Sequence, residues 1–377
     1  MAATGIIFSN IHDNNIPELT RLRTLASVPF GCRYRLVDFT LSNMVNSNIY
    51  NVDIITHYNY QSLMDHLGSG KDWDLARRSG GIKILPPFIT AYDSSAANML
   101  YTTRLEALMG VMNFISRCNE DYIVLSDCDT ICNIDMKAVL EMTEESKADM
   151  TIVSKNTYIG VEDAGKYMIL TSDPDGRITD ITEHGVNTTG FHDICLNIMV
   201  LKRSYLHSIL LDAMAHGYKH FFKDVIVKNL SSDNIRIYNY DGYYSSISSL
   251  VGYFSCSMEL LKNEVRADLF GNDQRPIFTK VRNSAPTKYM ANANVVNSLV
   301  ADGCIIEGTV ENSILFRGVK IGKNTVVRNS IMFQDSFTGN NVSLNCVITD
   351  KNVIIRDGRQ LSGHETLPFF IEKGVMI

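Results

Sequence analysis

Apolar positions along the chain follow two rhythms. Up to about residue 250, short β-rich runs alternate with stretches whose apolar residues return every three or four positions. The strand-like runs are Gly5–Phe8, Val52–His57, Tyr122–Ser126, Met150–Ser154, Tyr167–Thr171, Ile194–Leu201 and Ile235–Tyr240. The helix-like stretches are Phe39–Ser47, Asn59–Leu67, Ala97–Ser116, Met136–Glu144, Ser204–His216 and Phe221–Leu230. Strand alternating with helix predicts an α/β domain: a Rossmann-like, mostly parallel sheet covered on both faces. Such sheets bind ligands beyond the carboxyl ends of their strands. The first run ends at Ser9-Asn10 and the third at Asp127-Cys128-Asp129, so chemistry is expected there.

Leu250–Asn263 reads as one helix, and the polar stretch around Pro276 and Pro286 as a linker. From about Val295 the rhythm changes. Leu315, Ile321, Val327 and Phe333 recur every six residues, followed four positions later by Val319, Thr325, Ile331 and Phe337. After a register break, Val342, Ile348 and Ile354 resume the step, with Gly318, Gly322 and Gly339 at corners. A six-residue period predicts a parallel β-helix, each turn stacking on the last and burying one apolar residue per side. An antiparallel sandwich would repeat every two residues instead. An acyltransferase role for the coil would need a loop histidine, and the coil offers only His364. The expected division is 1–250 α/β, 251–290 helix and linker, and 291–377 coil.

Composition narrows the function. The 377 residues suit two or three domains at roughly 150 each. The net charge of −6 argues against an electrostatic grip on nucleic acid or on an anionic membrane. No apolar run reaches the roughly 18 residues of a spanning helix. The N-terminus has no basic region and reads as a strand, not a signal peptide. The eight scattered cysteines fit buried thiols in a reducing, cytoplasmic compartment. Cys128 and Cys132 are a lone close pair with no second pair at metal-site spacing, which disfavours zinc or a disulfide. Two absences stand out: no lysine precedes Lys71, and no glycine lies between Gly5 and Gly31.

Val28-Pro-Phe-Gly-Cys-Arg-Tyr-Arg-Leu-Val-Asp-Phe39, Leu41-Ser-Asn-Met-Val-Asn-Ser47, Trp73-Asp-Leu75, Gly80-Gly-Ile-Lys-Ile-Leu-Pro-Pro87 and Asp175-Gly-Arg-Ile178 closely resemble bacterial ADP-glucose pyrophosphorylase (glucose-1-phosphate adenylyltransferase). With the hexapeptide coil, the resemblance covers nearly the whole chain. It implies a nucleotidyltransferase domain, a left-handed β-helix and a tetramer. The family joins ATP and glucose 1-phosphate into ADP-glucose and pyrophosphate, for glycogen synthesis.

That transition state gathers negative charge, which cations, metal and backbone N–H groups must neutralise. The resemblance places these groups, and several are missing. The family's glycine-rich phosphate loop corresponds to Phe8–Thr20, which has no glycine or arginine; Asn15 stands at the essential arginine. Leu25 replaces a phosphate-binding lysine. Asp129 keeps one metal-binding aspartate, but Ser246 stands at the second, and a hydroxyl is a weak magnesium ligand. On the sugar side Glu183 persists while His184 replaces lysine. Cys195 stands at a serine and His57 at the adenine-facing glutamine.

An intact scaffold with eroded charged machinery resembles the GlgD-type, noncatalytic subunit of the family. The resemblance implies a catalytically degenerate regulatory subunit in a heterotetramer with a GlgC-type catalytic homologue. No cofactor is expected for this chain, Asp129 being vestigial, and Mg2+ is expected in the partner. Two other functions stay open. One is a weakly active adenylyltransferase using Arg21, Arg23 or Arg104. The other is a binding subunit whose degenerate pocket, with Glu183, His184 and Asp129, retains a sugar phosphate or nucleotide as a signal; for a metabolite effector site, Arg33, Arg35 and Arg317 are candidates that read equally as ordinary salt-bridge residues.

Overall fold

The computed structural model describes residues 2–86, 101–163, 165–183, 185 and 188–377. Its first strand, Ala3–Phe8, is buried along its whole length. Successive side chains point to opposite faces of a sheet. Ile6 and Phe8 accordingly enter one core cluster, while Ala3 and Ile7 enter another. A strand apolar on both faces belongs mid-sheet under two helix layers. Ala3–Phe8 lies between Asn51–Ile55 and Tyr122–Asp127, parallel to both, and Gly81–Leu85 extends the parallel part.

Beyond Tyr122–Asp127 the sheet becomes antiparallel. The long strand Gly190–Lys202 pairs with it, with Met150–Ile159 and with Met168–Ser172. Ile178–Glu183 lies outside Met168–Ser172, and Ile235–Asn239 runs parallel to Met150–Ile159. The sheet is therefore mixed, with four parallel strands at one end, Gly81–Leu85 forming that edge.

The helices refine the sequence reading at their breaks. The stretch expected as Ala97–Ser116 holds two helices, Arg104–Gly110 and Met112–Arg117, and its start lies outside the described residues. Phe221–Leu230 opens as a π-helical turn, Phe221–Ile226. Leu250–Asn263 is not one helix. Leu250–Glu259 ends, Lys262 turns extended (φ −79, ψ 134), and Asn263–Phe270 starts afresh.

Gly80 and Gly81 serve a close approach. At Gly81, φ is +85 and a Cβ would lie 2.5 Å from the Leu75 carbonyl oxygen. Gly81→Ala should lower stability by about 2 kcal/mol or more, read by urea denaturation.

The C-terminal strands form three parallel five-stranded sheets, the three sides of a β-helix. Partners are mostly 17 residues apart: Thr309 with Val326, Val326 with Ser343, Ser343 with Gln360. One side is thus a residue short of a strict six-step coil. That corrects two apolar assignments. Phe337 and Ile354 pair with each other but are 39% and 36% exposed, while the next residues, Thr338 and Ile355, fill the interior.

Sheet domain and coil share one core. Ile16, Leu19, Leu25, Phe30, Tyr253, Phe316 and Phe333 belong to a single buried cluster. Tyr253 donates to the Pro29 carbonyl at 2.6 Å. Arg23 Nη2 donates to both carboxylate oxygens of Asp350 (2.8 and 2.6 Å), with both side chains at most 5% exposed.

Candidate functional site

Parallel pairing sets Phe8 beside Asp127, so the residues after the first strand meet those ending Tyr122–Asp127. His12 lies four residues past Phe8, and its Nε2 is 2.8 Å from Asp127 Oδ2. Arg104 opens the helix capped by Thr103, whose side chain and Glu106 form a capping box. Its Nη2 contacts the same Asp127 oxygen and also Asn197 Oδ1 at 3.2 Å. Two residues on, Asp129 accepts a hydrogen bond from Ser246 Oγ at 3.1 Å. The antiparallel pairing of Ser246 with Thr130 positions it.

The cluster neutralises itself. Burial alone would raise Asp127, but Arg104 and His12 outweigh it and hold the carboxyl below its ordinary value. Burial raises Asp129, with Asp127 adding to the effect. Burial opposes charge on His12, yet Asp129 and the Asp127 contact push it up to about 9. Asp13 is pushed up to about 7 by burial, although its Oδ1 accepts the Leu25 N–H at 2.7 Å.

The raised values of His12 and Asp13 make stability fall with rising pH, whereas the lowered Asp127 loses its contribution only on acidification. A raised folded-state value contributes stability below the unfolded value and loses it as pH climbs through the folded one. For His12 that window runs from 6.5 to about 9, and Asp13 acts in the same direction at lower pH. In chelator-containing buffer the melting temperature should fall across pH 6.5 to 9. His12→Gln should flatten that segment while leaving the Asp13 component.

The sequence reading left Asp129 without a second carboxylate or a cation nearby, and the structure corrects both points. Asp127 and Arg104 adjoin it, and His12 completes a group whose ligand atoms lie within 4.8 Å of one another. The alternation Asp127-Cys128-Asp129 at a strand end was the available signal. His12 had none, because only the fold of the loop brings it in.

The other candidate positions separate. Asn15 is exposed at the end of the short 3-10 helix Asp13–Asn15. Leu25 is 2% exposed, packed in the core shared with the coil. His57 meets Tyr58 edge-on and Tyr101 at a tilt, and burial lowers it to about 4, so it is neutral. Cys195 is buried, accepts the Asn197 N–H at 3.4 Å and is raised by burial to about 11. Glu183 ends an edge strand, exposed. His184 lies outside the described residues. Arg35 donates to Ser62, Arg317 to Asp302, and exposed Arg33 lies over Tyr34.

Beside the cluster, a cavity of about 450 Å³ is lined by Asn10, Asp13, Arg21, His57, Tyr58 and Tyr101. A larger one, about 610 Å³, is lined by Asn133, Asp135, Tyr240 and Asp268 and includes none of the cluster. Magnesium with a nucleotide does not fit the cluster. Ser246 stands where the family has its second aspartate and its hydroxyl donates to Asp129, Asp127 is engaged by Arg104 and His12, and the third group is an imidazole, a poor partner for so hard a cation.

No helix among the described residues is long and apolar enough to cross a membrane. A nucleotidyl transferase family model matches residues 16–244, and a GlmU-like C-terminal hexapeptide model matches 284–366, in keeping with a left-handed coil. Over 374 residues the chain is 34% identical to glycogen biosynthesis protein GlgD of Bacillus subtilis, covering 99% of this chain and 96% of that one. It is 37% identical to the GlgD of Geobacillus stearothermophilus over 86% of this chain and 82% of that one. A glucose-1-phosphate adenylyltransferase of Clostridium botulinum is 32% identical over 87% of this chain and 83% of its own. The chain belongs to the nucleotidyl transferase family, in the group that holds the glucose-1-phosphate adenylyltransferases and their GlgD-type relatives.

Proposed function

We propose that this chain is a noncatalytic, regulatory subunit in glycogen biosynthesis. It assembles in the cytoplasm with a GlgC-type catalytic homologue, in a heterotetramer, and modulates ADP-glucose formation there. The carrying observation is that each cation near the degenerate phosphate site already has a partner: Arg21 with Glu372, Arg23 with Asp350, Arg104 with Asp127. Arg23 and Arg104 are held in buried pairs, while Arg21, in an exposed pair, borders the 450 Å³ cavity, which disfavours a weak transferase built on all three residues. Removing one group that stabilises such a transition state typically costs about 3 kcal/mol, so combined losses remove measurable turnover. Magnesium is required by the partner and not by this chain's own role.

The experiment is reconstitution. The purified chain, the catalytic homologue and their mixture are assayed for ADP-glucose formation with Mg2+ and metabolite effectors. The reading expects silence from this chain alone and a changed rate or effector response in the mixture. An unchanged mixture, with no complex on size-exclusion chromatography, removes the regulatory role.

A second reading rests on the 450 Å³ cavity. Asn10, 3% exposed, lines it, and its Nδ2 has no hydrogen-bond partner among the described residues. The aromatic wall of His57, Tyr58 and Tyr101 suits a metabolite held as a signal. Calorimetric titration with ATP, glucose 1-phosphate and fructose 1,6-bisphosphate tests it; no heat from any removes it.

A further inference from the structure

We propose that the cavity of about 610 Å³ lined by Asn133 and Tyr238 binds a linear alkyl polyamine, held by ammonium groups spaced along its chain. That volume suits a small organic ligand. The walls carry Asp135, Asp241, Asp268 and Asp273 against one guanidinium, Arg275, an excess of negative charge that a cation offsets. The helix Asn263–Phe270 ends there too and brings the negative end of its dipole. The carboxylates of Asp241 and Asp273 have no hydrogen bond or ion pair among the described residues. Lys155 adjoins Asp241, but its ammonium is spent on the Asp241 and Gly242 carbonyls, at 3.1 and 2.6 Å.

Asn133 supplies an independent sign. It lines the cavity and is 3% exposed. Its Nδ2 donates to the Leu269 and Arg275 carbonyls at 2.8 and 2.9 Å, which fixes the orientation of the amide. Its Oδ1 is left without a partner among the described residues, and a buried carbonyl oxygen calls for a donor. An ammonium in the cavity is such a donor. A single metal ion does not suit the arrangement, because no three of these carboxylates bring their oxygens within 4.8 Å of one another. Negative charges set apart call for a ligand whose positive charges are set apart. Tyr238 and Tyr240 add aromatic wall, against which methylene segments pack and ammonium groups are attracted. The Tyr240 ring already takes the Lys155 ammonium at 5.7 Å from its centre.

The test is calorimetric titration of the full chain with spermidine at low ionic strength. Butylamine, with a single ammonium, and Mg2+ serve as comparison ligands. The expected result is one equivalent of spermidine bound, weakened by added NaCl and not displaced by equal Mg2+. Butylamine should bind at least about tenfold more weakly, and Asp241→Asn with Asp273→Asn should weaken spermidine by about tenfold. Both aspartates are exposed, so the double variant should fold. Asp121→Asn with Glu365→Gln removes two exposed carboxylates elsewhere and should leave binding unchanged. Three results overturn the site: no binding, displacement by equal Mg2+, or a loss in the control pair as large as in the cavity pair, as general attraction to an acidic surface would give. The readout is binding alone, so its failure would leave the noncatalytic reading standing.

Discussion

Arg23→Ala should lower the stability of the chain by about 3–5 kcal/mol, the range for removing one partner of a buried ion pair. Asp350 would then keep a carboxylate that is 5% exposed, with only the Lys351 N–H at 2.7 Å to satisfy it among the described residues. The loss should fall at the junction, because Arg23 belongs to the segment after the first strand and Asp350 to the coil. Replacing both partners, Arg23→Met with Asp350→Leu, should regain most of the loss, since the penalty lies in the stranded charge. The double-mutant cycle in urea measures the coupling directly. Arg21→Ala is the control. Its pair with Glu372 is 72% and 64% exposed, and such pairs contribute under about 1 kcal/mol.

Leu25→Lys is the second large effect. By resemblance this substitution restores a phosphate-binding lysine. In this fold it should destabilise by about 3 kcal/mol or more and return no turnover, because an ammonium would be buried in an apolar cluster. Leu25 packs with Ile16, Leu19, Val28 and Phe30, and its N–H is spent on Asp13. Leu25→Met keeps the volume and the apolar character and should cost under about 1.5 kcal/mol. If Leu25→Lys were as stable as Leu25→Met, the side chain would have to reach solvent, and the phosphate position would be more open than its burial indicates. Adding Asn15→Arg and Ser246→Asp to Leu25→Lys should still give no turnover, since no glycine precedes Gly31 in the loop that would have to approach the phosphates.

Why the fold was legible and part of the site was not follows from the range of the forces involved. Apolar period is local. It gave the strands on either side of Ala3–Phe8, the helix Met136–Glu145 and the stacked interior of Leu315, Ile321 and Val327, whereas Phe333 lies in the core shared with the sheet domain. It misplaced Phe337 and Ile354 because the coil drops a residue on one side, and composition carries no mark of that. It carried the helix from Leu250 through the break at Lys262 to Asn263 and left the second helix, Asn263–Phe270, in the linker, because that break is a matter of backbone angle without a proline or glycine. The absence of glycine and arginine from Phe8–Thr20, and of lysine before Lys71, was legible because it is a fact of sequence. What replaced them was not. Arg23 meets Asp350 and His12 meets Asp127 across hundred-residue separations, and neither pairing leaves a local trace. Arg104 was a candidate for substrate; Asp127 engages it instead.

The central claim is that this chain contributes no chemistry of its own. The most direct measurement pairs it with a catalytic homologue whose own metal-binding aspartate has been replaced by asparagine, then follows ADP-glucose over many hours with Mg2+, ATP and glucose 1-phosphate. The account predicts a stable complex and no product above the enzyme-free background. Product formed by that complex, and lost on Asp129→Asn in this chain, would contradict it.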